Sequence, residues 1–295
     1  VTTDEEGVAV EKYRQSVSRS EPGCVVILLD RSDSMKLAWG RTGASLADGA
    51  ALAVNNILLD MCIKATTEVN APVRHYFDVG IFSYGARLGE AGEGVESAFG
   101  GVLAGRGLVP LPELAEHPVA VREEPSVDLM PVAARMPVWV DAVHGYRTPM
   151  CQAIAVAGAH VFDWAAAHPD SFPPIVVNIT DGMVTDSPYD GATLQDWAQR
   201  LTSIETNDGA TLFFNVFLSP FEVTEIVFPS DPAGLPPPGP DLFELSSPLP
   251  PPMVDNARVD GYDVRPGARG LAFNVGRSTL LRVLQIGTRV PDRAR

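Results

Sequence analysis

A chain of 295 residues, 45% of them hydrophobic, is long and apolar enough for one large domain or two small ones with a proper core. Its 37 acidic against 22 basic residues give a formal net charge of -15, which opposes the phosphate neutralisation that nucleic-acid binding needs and disfavours an anionic membrane surface. No run approaches the roughly 18 apolar residues of a membrane span, and Val1 to Ser20 is polar and charged where a signal peptide carries an apolar centre, so a soluble, cytoplasmic protein is expected. The three cysteines, Cys24, Cys62 and Cys151, fall in no CxxC or CxxH spacing, which argues against zinc, redox work or a disulfide framework. For Cys24 and Cys62 the expectation is a buried structural thiol.

From Cys24 onward strand-like and helix-like segments alternate, the pattern of a doubly wound α/β fold with a mostly parallel sheet covered by helices on both faces. The first strand is Cys24 to Leu29. A helix from about Leu46 to Ala65 follows from the spacing of Leu46, Ala50, Ala53, Ile57 and Met61, and Ser45 with Asp48 makes a capping box at its start. "HYFDVGIFSYG", His75 to Gly85, is too apolar for a surface strand and reads as a central one. Ala86 to Val143 is rich in turn residues, with alternating patches in "HPVAVREE" and "MPVWVDAV", and predicts an irregular insertion with a short strand or two.

Pro149 opens a long helix at the position where its missing N–H costs nothing, and Pro169 stops it. "PPIVVNITDG", Pro173 to Gly182, is another buried strand ending in a polar turn. A helix from about Leu194 to Ile204 leads into the strand "TLFFNVFLS". Ser230 to Pro252 is proline-rich, which favours an extended, semi-rigid path over helix or sheet; it reads as a surface strap, with a ligand for a proline-reading domain as the alternative. "RGLAFNV" closes the series as a strand and "STLLRVLQIG" as a helix. The expected organisation is an N-terminal extension over 1–22 and one domain over 23–295, with the insertion at about 86–143 and the strap at about 229–252.

Ligands of open parallel α/β sheets bind at the carboxyl ends of the strands. Two strands here end in oxygen-rich turns, "DRSDSM" and "TDGMVTD", and "GYRTPM" leads into the intervening helix. If the three loops meet, Asp30, Ser32, Ser34, Thr148 and Asp181 converge. That all-oxygen set suits Mg²⁺ or Mn²⁺ and offers no soft ligand. Two carboxylates about 4 Å apart repel by about 4 kcal/mol at an effective dielectric near 20, so the cluster makes most sense with a cation in it. Neutral hydroxyls leave such an ion much of its charge and an appetite for an external carboxylate.

Asp30-x-Ser32-x-Ser34-Met35, then Thr148-Pro149, then Thr180-Asp181-Gly182, in that order, resembles the metal-ion-dependent adhesion site (MIDAS) of von Willebrand factor type A (vWA) domains. A lone DxSxS is weak evidence; three segments in order are specific. The resemblance covers about Cys24 to Leu218. It implies that Ser32 and Ser34 ligate directly, that Thr148 does so in some states, and that Asp30 and Asp181 reach the metal through water. Two features depart from it: Tyr146-Arg147 precedes Thr148 where small residues are usual, and the 86–143 region exceeds a minimal domain. Arg147 adds a positive charge that would help or occlude an acidic partner, or else is a solvated loop charge. "PVWV...RTPM...FPPIVVNITDG" with "RGLAFNV...LQIGTR" is also similar to bacterial cytosolic vWA proteins that work beside MoxR-type AAA+ ATPases or beside kinase and phosphatase partners in signalling or conflict systems.

The function this resemblance implies is a scaffold or adaptor that binds an Asp or Glu of a partner protein, such as a MoxR-type ATPase or an associated effector, through the bound cation. Singly, each site residue has a plainer explanation: Thr148 as a helix cap, Asp181-Gly182 as a turn, Ser32 or Ser34 as a cap. Asp33 and Asp186 are expected to be solvated loop carboxylates, with a second, adjacent cation site as the alternative, and the five histidines are scattered. There is no GxSxG, P-loop lysine, GxGxxG after a strand or HExxH, so an enzyme is not expected. The alternatives are a metal-dependent phosphotransferase or hydrolase using Asp30, whose usual second carboxylate is replaced here by Ser32, and an extracellular adhesion domain.

Overall fold

A computed structural model describes residues 11–40, 43–68, 71–85, 94–124, 134–145, 147–221 and 224–288. Strand β1 (Gly23–Asp30) is buried along its whole length. Helix α1 (Leu46–Lys64) begins at the expected capping box, the Ser45 side chain and the Asp48 side chain each accepting the other's backbone N–H. Strand β2 (Phe77–Tyr84) pairs in parallel with β1, and β3 (Val95–Ser97) and β4 (Val109–Pro110) add to β2 antiparallel. Next come the short helix α2 (Leu111–Glu116), the antiparallel pair β5 (Ala120–Glu124) and β6 (Ala134–Val138), and the long helix α3 (Met150–Ala167).

Strand β7 (Ile175–Thr180) lies on the other side of β1, and helix α4 (Leu194–Thr202) starts at a second reciprocal cap, Thr193 with Asp196. The tiny pair β8 (Glu205–Thr206) and β9 (Gly209–Ala210) precedes β10 (Leu212–Phe217), and β11 (Ile226–Val227) follows. Helices α5 (Gly239–Leu245) and α6 (Pro251–Val259), strand β12 (Leu271–Phe273) and helix α7 (Arg277–Thr288) complete the order. The main sheet runs β11-β12-β10-β7-β1-β2-β3, with β4 also on β2. Its five inner strands are parallel and its edge strands antiparallel.

Successive strand residues point to opposite faces, so β1 feeds two cores. Val25, Ile27 and Leu29 pack with α1, α2, α6 and α7; Cys24, Val26 and Leu28 pack with α3, α4 and α5. This is the expected doubly wound α/β arrangement. All three cysteines are buried, Cys151 as well as the two expected, and burial pushes the Cys62 and Cys151 thiols up to about 12, which leaves them inert. By length and composition α1 is apolar enough to cross a membrane, more so than its sequence led one to expect, but 67% of that window is buried against the fold. Its leucines, isoleucines and valine raise the hydropathy, and its alanines let it lie close on the sheet.

The insertion is more regular than predicted. Its described part holds four short strands and α2; residues 86–93 and 125–133 lie outside the described residues. Asn55 of α1 secures its far end by accepting the N–H groups of Trp139 and Val140 at 2.8 and 3.1 Å and donating to the Val140 carbonyl at 2.8 Å. Of the N-terminal extension, residues 1–10 lie outside the description. The rest is pinned to the β8–β9 turn, where the Asp208 carboxylate accepts the N–H groups of Arg14 and Gln15.

The proline-rich stretch departs furthest from expectation. Residues 230–238 and 246–250 keep the expected non-helical path, but 239–245 form α5 and Pro251 opens α6, with prolines at both helix starts, where no N–H is missed. Leu235, Leu242, Phe243 and Leu245 are buried in the core, and Ser247 pairs with Phe213 of β10.

Candidate metal centre

The site lies where the chain leaves β1 and β7 for opposite faces of the sheet. After β1 it crosses to α1 on one face, and after β7 to α4 on the other. These strands are neighbours, so their departing loops open a crevice at a switch point of the topology. Asp30 is the last residue of β1 and only 1% exposed. One carboxylate oxygen accepts the Thr180 hydroxyl at 2.6 Å and the other the Ser32 N–H at 2.8 Å, which fixes its orientation. Asp181 is half-buried; its Oδ1 accepts the Ser34 hydroxyl at 2.8 Å and, more weakly, the Ser32 hydroxyl at 3.5 Å. The two serine hydroxyls stand 3.1 Å apart.

Thr148 arrives from the third loop. It is 5% exposed, and Thr185 clamps its backbone from both sides: Thr148 N–H donates to the Thr185 hydroxyl at 3.0 Å and Thr185 N–H to the Thr148 carbonyl at 3.1 Å. The point where these oxygens converge is marked by Gly182. A Cβ built there would stand 3.2 Å from Thr148 Oγ1 and 3.7 Å from both Asp30 Oδ2 and Ser34 Oγ. All five predicted residues therefore face one small space.

Oxygen ligands at about 2.1 Å on an octahedron stand about 3 Å apart along each edge. The Ser32–Ser34 separation of 3.1 Å, between the two serines read as direct ligands, matches that value, while Asp181 accepts both hydroxyls, at 2.8 and 3.5 Å, from one shell further out. Burial pushes the Asp30 carboxyl up to about 7, opposed by the Thr180 hydroxyl and reinforced by the neighbouring Asp181 charge. Asp181 is raised as well, again chiefly by burial. One buried and one half-buried carboxylate, both resisting ionisation, beside two serine hydroxyls at octahedral-edge spacing fit a hard divalent cation. Among the described residues no three of His, Cys, Asp and Glu gather as an alternative metal group.

Several plainer expectations change. Thr148 does not cap α3; that duty falls to Asp186, whose carboxylate accepts the N–H groups of Cys151 and Gln152 at 3.1 and 2.9 Å. Asp186 is therefore no solvated loop charge, and α3 starts at Met150 with Pro149 as its N-cap, one residue later than the proline suggests. Asp33 is exposed and pairs with Lys36 at 2.7 Å. Arg147 is exposed beside buried Thr148, and Tyr146 lies outside the described residues.

The supporting roles of four residues were not read from the sequence, although Thr180 and Asp186 were named there. Thr180 orients Asp30, and Thr185 with Asp186 fixes the Thr148 loop, although both lie inside the quoted "TDGMVTD". Gly85, at φ +107°, ends β2 beneath the site, where a Cβ would collide with the Arg147 carbonyl oxygen and come within 2.9 Å of the Ser32 nitrogen. Its place directly after a buried strand was the available signal.

No family model matches the chain, and no curated protein does. Among solved structures it is similar to the pilus adhesin SpaC from Lactobacillus rhamnosus GG, at 12% identity over 70% of this chain and 26% of that one, with a TM-score of 0.37. It is similar to the SpRpn10 VWA domain, at 12% identity over 68% of this chain and 78% of that one, with a TM-score of 0.31. The human COPII-coat protein Sec24c matches at 14% identity over 68% of this chain and 27% of that one, with a TM-score of 0.34. The chain thus spans about a quarter of the adhesin's length. Likenesses this distant say nothing about what the chain binds.

Proposed function

We propose that this chain is a metal-dependent protein-interaction module of the vWA type, which holds Mg²⁺ or Mn²⁺ through Ser32, Ser34 and Thr148, with Asp30 and Asp181 as partners reached through water. The observation that carries this reading is the convergence of hydroxyl and carboxylate oxygens from three separate loops on the bare Cα of Gly182. When bound, the cation would supply an exchangeable coordination position that an Asp or Glu of another protein can fill. The chain's own residues orient the site: Thr180 and the Ser32 N–H hold Asp30, and Thr185 holds Thr148. Ser34 and Ser32 aim their hydroxyls at the space shared with Asp181.

Binding is favoured over catalysis because both Asp30 oxygens already accept hydrogen bonds and the group is almost fully buried, which blunts it as a nucleophile. Within this reading, the resemblance implies a cytoplasmic setting and a partner such as a MoxR-type AAA+ ATPase or an associated effector. Neither nucleic acid nor membrane is part of it. A pull-down with the full chain in Mg²⁺ and in EDTA tests the proposal: an acidic-faced partner retained only with the metal supports it, and a complex indifferent to EDTA and to Thr148→Ala overturns it.

A further inference from the structure

We propose that Arg31 is the positioning residue for Thr148, holding the segment that delivers this hydroxyl to the oxygen cluster. The inference rests on the metal reading above. Arg31 lies between Asp30 and Ser32 in sequence, and at 4% exposure it is buried, an unusual condition for a guanidinium at a loop on a sheet rim. Three bonds tie it to the end of β2 and to the loop that leads into α3. Its N–H donates to the Tyr84 carbonyl at 2.8 Å, its carbonyl accepts the Gly145 N–H at 2.9 Å, and its Nη2 donates to the Asp141 carbonyl at 3.3 Å. Asp141 follows directly on Trp139 and Val140, which Asn55 fixes from α1. The chain from Asp141 to Thr148 is thus held by Asn55 at its start, by Arg31 at Asp141 and Gly145, and by Thr185 at Thr148 itself.

Burying a guanidinium is costly, and this one is incompletely repaid, since Nε has no hydrogen-bond partner among the described residues. The charges of Glu96 and Asp141 offset part of that cost. A neutral side chain would serve packing alone more cheaply; what the arginine adds is reach to the Asp141 carbonyl from the same residue whose backbone holds Gly145. The sign of its effect separates this role from simple electrostatics. Removing a positive charge beside a cation site would by Coulomb attraction and repulsion alone tighten that site. Loss of a positioning residue would loosen it.

The test is Mn²⁺ calorimetry on the full chain as wild type, Arg31→Met, Arg31→Lys, Thr148→Ala and Arg31→Met with Thr148→Ala, together with hydrogen exchange of the metal-free proteins over 141–148. Arg31→Met should weaken Mn²⁺ about tenfold or more, as removal of a supporting partner does, with Arg31→Lys recovering part of the loss. In the Thr148→Ala background the same substitution should cost less than about twofold, because its effect runs through the missing hydroxyl. Exchange at Gly145 should quicken without metal. Unchanged or tighter binding by Arg31→Met, or losses that multiply in the double variant, would overturn the proposal while leaving the metal reading intact. If Arg31→Met does not fold, the cycle between Arg31→Lys and Thr148→Ala decides by the same rule. A wild-type chain that gives no Mn²⁺ response overturns the metal reading and this proposal with it.

Discussion

Asp30→Asn isolates the energetic consequence of burying the Asp30 carboxylate. In the folded chain its carboxyl is pushed from an ordinary 3.8 up to about 7, mainly by burial. Between those values the folded protein holds a proton that the unfolded chain has released, so stability falls as pH rises through that window. At 1.36 kcal/mol per unit the full penalty is on the order of 4 kcal/mol, complete above about pH 7 and absent below about pH 4. For a domain of this size about 2 °C of Tm per kcal/mol gives a difference of roughly 5–10 °C. The assay is a series of thermal melts in EDTA from pH 4.5 to 8 on wild type and Asp30→Asn, which carries no charge and whose single amide oxygen accepts from Thr180 or from the Ser32 N–H but not from both, a cost that does not vary with pH. Groups common to both proteins cancel in the difference, apart from Asp181, which loses a charged neighbour in the variant. Wild type should lose ground to Asp30→Asn as pH rises, and Mg²⁺ at pH 8 should raise the wild-type Tm alone. A difference independent of pH, or one that favours wild type as pH rises, would refute the reasoning.

Asp30→Ala with Ser32→Ala should stay folded and soluble in EDTA, because both cores lie along the strands beneath the rim; far-ultraviolet circular dichroism checks it, and a collapsed spectrum would make the site structural. Thr148→Ala should weaken Mg²⁺ and partner binding in calorimetry while changing unfolding free energy by about 1 kcal/mol or less, since the Thr185 clamp holds backbone atoms. Gly85→Ala should destabilise by more than about 1 kcal/mol in denaturant titrations and weaken the metal too, because a side chain there meets both strained backbone and the Ser32 and Arg147 main chains. Asn55→Ala should cost on the order of 2–3 kcal/mol in the same titration, leaving the buried Trp139 and Val140 N–H groups without their acceptor.

The residues that bear oxygen at the site were legible in sequence because each lies at a local landmark: Asp30 and Asp181 after buried apolar strands, Thr148 before a proline that opens a helix. The reciprocal cap of Ser45 and Asp48 was legible for the same reason, since a cap spans three residues and depends on little else. What holds those residues in register was not legible. The cap of α3 comes from Asp186, 35 residues beyond Cys151, and the clamp on Thr148 from Thr185, 37 residues away. The proline-rich stretch reads as extended on composition, yet its middle folds helically once Leu242, Phe243 and Leu245 have a core to enter. Arg31 looks like a loop charge until the Tyr84, Asp141 and Gly145 segments close over it. Periodicity and capping are set by neighbours along the chain, and so the sequence by itself determined the alternation of elements and the chemistry at the strand ends. Burial of a charge and the choice of a distant hydrogen-bond partner depend on which strands lie side by side, and only the tertiary order of β7, β1 and β2 decided those.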